Sequence, residues 1–459
     1  MPVLSDLEPR EVFAWFERLC AIPHGSHHAK AISDYLVAFA RERGLACRQD
    51  AANNVVIRKA ASAGYENAPV VMLQGHIDMV CEKDADCGKD METEGLDLFV
   101  DGDVIGARGT TLGGDDGIAV AMALAVLDAD DIPHGPLECV FTADEEVGMI
   151  GARALDASDL KAKYLINIDS EEEGVLTVSC AGACRTLCTL PVTRAPFDGQ
   201  TLRVRISGLV GGHSGEEIHK GRANANLLLG RALDEMSRAG ALRLIRVSGG
   251  AKDNAIPREA EAVVRTGDAA ALRRAAEALA AALRAEYHAA DGHITVTVTE
   301  TDDGLTPMDA ASTERAITLL CAPNGVVEMS MDVPGLVQTS LNLGRLTSDE
   351  ASLRASFMIR SSINSQKNAV ASRLARLAEA LGGQTELDSD YSAWPYRPES
   401  PLRDRVAEVF YEQYGEKPRI AALHAGLECG ILSGKLPELD CISLGPDLTD
   451  IHTPRERLH

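Results

Sequence analysis

Residues 69–78 read PVVMLQGHID, an apolar run that becomes polar at its end. Residues 69–73 form a short, nearly continuous apolar segment, which is typical of a strand buried on both faces of a sheet. His76 and Asp78 follow two positions apart, so their side chains share one face of an extended chain. Because ligands of open α/β sheets collect at the carboxyl ends of strands, this stretch predicts both the fold class and the place of the site.

Two further apolar runs, at residues 137–142 and 164–168, repeat this pattern. Helical patterns at about 8–20 and 115–128 alternate with these strands. The alternation predicts an α/β domain with a central, mostly parallel sheet that is covered by helices on both faces.

Residues 184–392 follow a different pattern. Their strand patterns are interleaved with helical stretches, such as the Ala-rich helix at 268–290 and the alternating strand HITVTVTE at 293–300. Strand pairs with intervening helices predict an inserted α+β domain with ferredoxin-like pieces. The first domain is expected to comprise residues 1–183 and 393–459. No internal sequence repeat is apparent.

Acids and histidines stand just after the buried strands and loops of the first domain. Asp115 follows a glycine-rich loop and opens a helix, whereas Glu145, Glu146, Asp169 and His452 each follow an apolar strand. Adjacent side chains on an extended chain point to opposite sides. One of the two glutamates can therefore face a metal while the other faces a bound water, as a general base must.

With His76 included, these positions offer the ligand count for two divalent ions that share a bridging carboxylate. Mixed imidazole and carboxylate ligands suit zinc, cobalt or manganese. Two ions about 3.5–4 Å apart can hold a water between them and polarise a carbonyl. Each position also has a structural reading: a helix cap for Asp115, a solvated acidic turn for Glu145 and Glu146, and a hydrogen-bonded pair for His76 with Asp78.

The composition and the missing motifs exclude several classes of protein. The chain has 459 residues, with 45 Lys and Arg against 69 Asp and Glu, for a formal net charge of −24. This excess argues against broad binding of nucleic-acid phosphates and against an anionic membrane surface. The sequence contains no HExxH, no P-loop and no GxGxxG, and its GGHSG segment lacks the spacing of a nucleophile elbow.

The compartment is predicted from the cysteines and the first residues. Eleven cysteines in a chain of this length fit reduced thiols better than a disulfide framework. The segment MPVLSDLEPREVFAWF has the pattern of an amphipathic helix and lacks the order of a secretory signal. We therefore expect a cytoplasmic location.

The motifs LQGHIDMV, GTTLGGDDG, FTADEEVGMIGA, LINIDSEEEG and IHTP, in that order, resemble those of the dimetal Xaa-His dipeptidases. These enzymes, also called cytosol non-specific dipeptidases, are relatives of carnosinase and glutamate carboxypeptidase. The resemblance covers nearly the whole chain and includes GGHSGEEIHKGRANA in the inserted domain. It implies a cytosolic dizinc dipeptidase, with cobalt or manganese as alternatives, whose inserted domain is a lid and forms a homodimer.

The resemblance also implies roles for the residues of the site. The expected ligands are His76 and Asp169 for one ion, Glu146 and His452 for the other, and Asp115 as the bridge. Asp78 would orient His76, and Glu145 would be the general base. The family also has a cis peptide bond after the bridging aspartate, which we expect here at Asp115–Asp116.

Four residues of the lid are implied to contact the substrate. His219 resembles the lid histidine that polarises the scissile carbonyl, in some relatives from the partner subunit. Asn254, Arg360 and Gly426 resemble groups that hold the terminal carboxylate, for which an Arg fork is well shaped. A structural role stays open for two of them, because His219 could cap a helix and Arg360 could pair with an acid of the lid.

Two other functions and one departure from the family stay open. An N-acyl amino acid deacylase or carboxypeptidase of the same clan would act on substrates without a free amine. A non-catalytic dimeric homologue is the third reading, against which the intact Glu145 argues. Only seven residues follow His452, where the family usually continues into another helix. A missing helix would loosen the strand that positions His452.

Overall fold

The computed structural model describes residues 2–459, which contain ten α-helices and 23 strands. The helices are α1 Arg10–Cys20, α2 Lys30–Glu42, α3 Gly114–Asp128, α4 Ile150–Ala154, α5 Ala225–Ala239, α6 Ala269–Glu286, α7 Ala310–Leu320, α8 Asn364–Ala380, α9 Pro401–Tyr414 and α10 Glu428–Lys435. Within residues 2–459, no helix combines the length and the apolar character needed to cross a membrane.

The strands are short in the first third of the chain and longer in its middle. They are β1 Ala46–Gln49, β2 Val55–Lys59, β3 Val71–His76, β4 Leu98–Asp101, β5 Val104–Ala107, β6 Leu137–Thr142, β7 Tyr164–Asn167, β8 Val175–Cys180, β9 Gly182–Pro191, β10 Gln200–Ser207, β11 Gly212–His213, β12 Leu242–Gly249, β13 Ala255–Ile256, β14 Ala260–Thr266, β15 Thr295–Glu300, β16 Gly325–Met329, β17 Val337–Ser348, β18 Ser352–Ser361, β19 Gln384–Tyr391, β20 Arg419–Leu423, β21 Asp440–Ser443, β22 Leu448–Thr449 and β23 Arg457–Leu458.

The chain divides into two compact units. The first unit contains the residues up to Cys180 together with the segments Trp394–Ala422 and Leu427–His459. The second unit contains Ala181–Ala393 and the short segment Leu423–Gly426. The sequence pattern changes at nearly the same places, after residues 183 and 392. The short segment Leu423–Gly426, which belongs to the second unit, has no signal in the sequence pattern.

The sheet of the first unit has eight strands in the order β1-β2-β6-β3-β7-β21-β8-β20. The central strands β6, β3, β7 and β21 run parallel. By contrast, β1, β2 and β8 pair antiparallel towards the edges. The predicted parallel sheet is therefore confirmed at its centre, which is where the site residues follow the strands.

Both faces of this sheet are covered. Val55 and Val56 of β2 point to opposite faces and are both buried, as are Cys139 and Val140 of β6. Helices α1, α2 and α3 contribute to the hydrophobic core on one face, and α3 also contacts β3. This packing brings the start of α3, where Asp115 lies, beside the end of β3.

The second unit contains the same βαββαβ arrangement twice. One copy consists of β10, α5, β12, β14, α6 and β15, in the sheet order β15-β10-β14-β12. The other consists of β9, α7, β17, β18, α8 and β19, in the order β17-β18-β9-β19. Both are ferredoxin-like, and the first copy is inserted between β9 and α7 of the second.

The two copies form one sheet and one core. Antiparallel pairing of β12 with β17 joins their edges. Leu229, Leu279, Leu320 and Leu374, one from each helix of the unit, are buried in the same hydrophobic cluster. The predicted ferredoxin-like pieces are thus two complete modules, although the sequence shows no repeat.

Candidate active site

The parallel strands of the first unit deliver polar side chains to one edge of the sheet. His76 is the last residue of β3, Glu145 and Glu146 follow β6, and Asp169 follows β7. Because neighbouring parallel strands end at the same edge, these side chains meet there. His452 joins them from the segment between β22 and β23.

Asp115 lies between two imidazoles and offers one carboxylate oxygen to each. Its Oδ1 is 3.0 Å from Nε2 of His76, and its Oδ2 is 3.2 Å from Nε2 of His452. Nε2 of His76 lies 3.6 Å from Oδ1 of Asp169, and Nε2 of His452 lies 2.8 Å from Oε1 of Glu146. The five side chains therefore meet in two groups that share Asp115.

His76 is oriented by a hydrogen bond at its other ring nitrogen. Nδ1 donates to the backbone oxygen of Asp78 over 2.9 Å and lies 3.6 Å from the Asp78 carboxylate. This contact places the proton on Nδ1 and leaves the lone pair of Nε2 for a ligand. The Asp78 carboxylate accepts from the backbone N–H groups of Glu145 and Glu146 and from the Ser26 hydroxyl. Asp78 thus fixes His76 mainly through its main chain, and its carboxylate fixes the turn that carries both glutamates.

The peptide bond between Asp115 and Asp116 is cis, as expected. Asp116 is buried, and its Oδ2 accepts the backbone N–H of His76 over 3.2 Å. Burial holds the pKa of Asp116 well above its usual range, with the nearby charge of Asp169 as the next cause. The close approach requires Gly75, because a Cβ at that position would lie 2.6 Å from the Asp116 oxygen.

The electrostatics of the site favour cations. Hydrogen bonds to Asp115 and Glu146 raise the pKa of His452 to about 10. Burial alone would lower the pKa of His76, but hydrogen bonds to Asp115 and Asp169 leave it raised. Burial would likewise raise the pKa of Asp115, yet His452 and His76 hold it below its usual range. Two nitrogens and the surrounding carboxylates therefore form a donor set that fits two divalent ions.

Glu145 is not joined by a hydrogen bond to the five side chains that meet around Asp115. Burial, more than any neighbouring charge, raises its pKa well above the usual range. Its carboxyl accepts no hydrogen bond from any described residue, and the bonds at this position go to its backbone. A carboxyl with a raised pKa and no fixed partner is suited to accept and return a proton.

Arg360 is the centre of a second polar cluster, which lies within the second unit. The side chain is only 6% exposed. One guanidinium nitrogen, Nη1, donates to the Tyr391 hydroxyl over 3.2 Å, and Nε has no partner among residues 2–459. Arg360 and Tyr391 also line a cavity of about 410 Å³ together with Asn254 and Lys252. An unpaired buried guanidinium N–H beside a cavity is suited to bind a carboxylate.

His213 lies beside Arg360 in this cluster. Its Nδ1 accepts the backbone N–H of Glu216 over 3.2 Å, and its Nε2 lies 3.4 Å from Nη2 of Arg360. Burial and the charge of Arg360 lower the pKa of His213, which favours the neutral ring. A neutral imidazole and a guanidinium thus lie side by side in this cluster.

His219, the histidine that the resemblance implied, is placed differently. It lies in the 3₁₀ helix Ile218–Lys220 and is exposed, and His213 occupies the position beside Arg360. Asn254 lines the cavity described above, and Gly426 lies two residues after His424. His213, and not the exposed His219, is therefore the histidine that lies beside Arg360.

His424 is a further histidine of this cluster that the sequence did not single out. Nε2 lies 2.7 Å from the Ser340 hydroxyl, while Nδ1 is buried without a partner among the described residues. Burial, followed by the charges of Arg360 and His213, lowers the pKa of His424 to about 3. The backbone fits closely at Gly215, where a Cβ would lie 2.4 Å from the His424 oxygen.

One buried carboxylate holds both ends of the loop that carries His213. Asp291 accepts the backbone N–H of Val210 over 2.6 Å and that of Ala223 over 2.7 Å. Inside the loop, Glu217 accepts the backbone N–H of His213 over 2.8 Å. The position of His213 is thus fixed from within the second unit.

Comparison with known proteins identifies the family. A family model described as peptidase family M20/M25/M40 matches residues 72–459. The chain belongs to this family. The M20 peptidase is 39% identical over 464 residues to the cytosol non-specific dipeptidase of Escherichia coli K12. The alignment covers all of this chain and 96% of that protein.

Two solved structures match the fold of this M20 peptidase over nearly the whole chain. The aminoacylhistidine dipeptidase of Vibrio alginolyticus matches with a TM-score of 0.92 and 38% identity, over 99% of this chain and 94% of that one. A tripeptidase of Staphylococcus aureus matches with a TM-score of 0.54 and 15% identity, over 98% and 94% of the two chains. The second likeness concerns the fold alone.

Proposed function

We propose that this M20 peptidase is a dizinc dipeptidase that hydrolyses unblocked dipeptides, Xaa-His among them. The observation that carries the proposal is the position of Asp115, whose two oxygens each face one imidazole. The names of the full-length relatives support the substrate class. Cobalt or manganese suits the same ligands, so zinc is the first choice among three metals.

His76 and Asp169 would hold one ion, Glu146 and His452 the other, and Asp115 both. Two such ions, when bound, polarise the scissile carbonyl and lower the pKa of a water held beside it.

The protein's own residues then carry the proton. Glu145 removes a proton from the attacking water as the oxygen of that water adds to the carbonyl carbon. The C–N bond breaks as Glu145 returns the proton to the leaving nitrogen. Asp78 keeps the base in place, because its carboxylate binds the backbone N–H of Glu145.

The Arg360 cluster would bind oxygens of the substrate. We propose that the guanidinium holds the terminal carboxylate, with Asn254 and Gly426 beside it, and that His213 donates its Nε2–H to the scissile carbonyl. The geometry supports the proposal because Arg360 Nε has no partner among residues 2–459 and Nε2 of His213 lies 3.4 Å from Nη2 of Arg360.

A substrate panel tests the proposal. Zinc-loaded protein should hydrolyse Ala-His and other free dipeptides, with the product amino acids measured by chromatography. N-acetyl-His at the same concentration serves as the control, since a deacylase would cleave it and leave the free dipeptides intact. Protein that carries both ions and cleaves neither substrate would instead be the non-catalytic homologue.

Two further proposals rest on the relatives. We propose a cytoplasmic location, which the name of the Escherichia coli relative supports, and a homodimer through the second unit, which the family resemblance supports. Sedimentation equilibrium tests the dimer directly: a mass near 48.8 kDa at micromolar concentration would rule it out.

A further inference from the structure

Glu456 is a buried acid that the proposed chemistry does not use. It is 2% exposed and lies four residues after His452. In the sequence it stands between Arg455 and Arg457, and no motif singles it out. Its side chain instead contacts a loop that is more than 300 residues away.

The Glu456 carboxylate accepts four consecutive backbone N–H groups. Oε2 binds the N–H groups of Leu112 and Gly113 over 2.8 and 3.1 Å. Oε1 binds those of Gly114 and Asp115 over 2.8 and 3.3 Å. Successive N–H groups that point into one concavity form an anion-binding nest, which a buried carboxylate fills here. Since the last of the four belongs to Asp115, the contact reaches the residue that faces both histidines.

The segment that carries His452 is equally well held. The backbone N–H of Glu456 donates to the Thr453 oxygen over 3.0 Å, and the Thr453 hydroxyl donates to the Asp450 oxygen over 2.7 Å. Strand β23 then pairs with β22 and with β5. The residues after His452 thus form a closed turn and a strand.

We infer that Glu456 is a positioning residue that joins the segment carrying His452 to the start of α3, where Asp115 lies, so that Asp115 and His452 are held together before any ion arrives. The inference rests on the proposed metal centre. Among the described residues, the hydrogen bonds of the Glu456 carboxylate go to backbone N–H groups and not to ligand side chains, so its effect passes through the backbone. Partners of this kind typically change metal affinity by about 10- to 100-fold.

Glu456→Gln is the informative substitution, because it keeps the size of the side chain. Its one oxygen can satisfy two of the four N–H groups, while its amide hydrogens face the other two. Glu138→Gln is the matched control. Glu138 is a buried acid of the same unit that accepts the N–H groups of Lys161 and Ala162 and an N–H of the Arg58 guanidinium, and no described hydrogen bond joins it to the metal ligands.

Two measurements on the full-length, metal-free protein test the inference. In zinc titration by calorimetry, at least one of the two ions should bind about 10- to 100-fold more weakly to Glu456→Gln than to wild type. The zinc affinities of Glu138→Gln should equal those of wild type. Hydrogen exchange should be faster at the amides of residues 112–115 in Glu456→Gln only. An unchanged two-ion titration together with unchanged exchange in Glu456→Gln would overturn the inference.

The two failures are distinguishable. Wild-type protein that binds no zinc would contradict the proposed function, and the exchange rates of residues 112–115 would still decide whether Glu456 positions the loop. Faster exchange with normal zinc affinity would show a structural cap only and would also overturn the inference.

Discussion

Replacing Glu145 by glutamine should abolish hydrolysis and leave the metal centre intact. The new side chain has the same size, and the Glu145 carboxyl accepts no hydrogen bond from a described residue, so no contact within the fold is lost. We expect the free energy of unfolding to change by less than about 0.5 kcal/mol. Because burial raises the pKa of Glu145, the loss of its charge should change the free energy of unfolding less than it would at an ordinary glutamate.

The expected loss of activity follows from the role of the base. General-base catalysis contributes about 10²- to 10⁴-fold, so kcat on Ala-His should fall by that factor, or about 3–5 kcal/mol. Zinc content, measured by plasma emission, should stay at two per chain, because the contacts that join the ligands do not include Glu145. Glu42→Gln, an exposed acid of the same unit, is the control. A Glu145→Gln variant that holds two ions and keeps more than about a tenth of the wild-type kcat would refute the assignment.

Three further predictions concern the second unit. Arg360→Lys keeps the charge but loses the planar fork, so KM for Ala-His should rise about 10- to 100-fold with a smaller change in kcat; an equal rise for the C-terminal amide of the dipeptide would contradict carboxylate binding. Asp291→Asn should leave the N–H of Val210 or Ala223 unpaired and lower the free energy of unfolding by about 1–3 kcal/mol. We expect kcat to fall while the zinc content stays the same. An unaltered kcat in the destabilised variant would show that the position of the loop does not depend on the two hydrogen bonds of Asp291. Burial holds the pKa of His424 at about 3, below its ordinary value of 6.5, so the unfolded chain binds one more proton than the fold between those values. The free energy of unfolding should therefore fall by about 1.4 kcal/mol per pH unit as the pH drops below 6.5. His424→Gln should remove this contribution, and parallel pH slopes for metal-free wild type and variant in urea unfolding would contradict it.

The local patterns of the sequence predicted the sheet and the residues at its edge. Apolar runs such as residues 137–142 are buried on both faces, and this requirement leaves a pattern that can be recognised without the structure. Once the strands are placed, parallel neighbours must end together, which brings His76, Glu146 and Asp169 into one place. The predicted ligands therefore meet in the structure, with Asp115 shared between two groups.

The duplicated arrangement of the second unit could not be predicted in this way. Each βαββαβ module requires apolar residues at the right period but no particular sequence, so two modules can share a topology without a detectable repeat. In addition, the copy from β10 to β15 is inserted after β9 of the other. The strands of one module are therefore separated along the chain, which hides the second copy.

The residues that the sequence missed are defined by long-range contacts. The role inferred for Glu456 depends on its contact with residues 112–115, and no local pattern of the sequence encodes that contact. His213 and His219 lie in the same loop, and only the path of that loop decides which one faces Arg360. Asp291, which fixes the path of the loop, lies 68 residues beyond Ala223. The spacing of residues along the chain therefore does not indicate which of the two histidines faces Arg360.

The central claim is that Asp115 is shared by two metal ions. Crystals grown with zinc and measured at the zinc absorption edge test it directly. The account predicts two anomalous peaks about 3.5–4 Å apart, each bound to one oxygen of Asp115, with His76 at one peak and His452 at the other. A single peak, or two peaks that do not both contact Asp115, would contradict it.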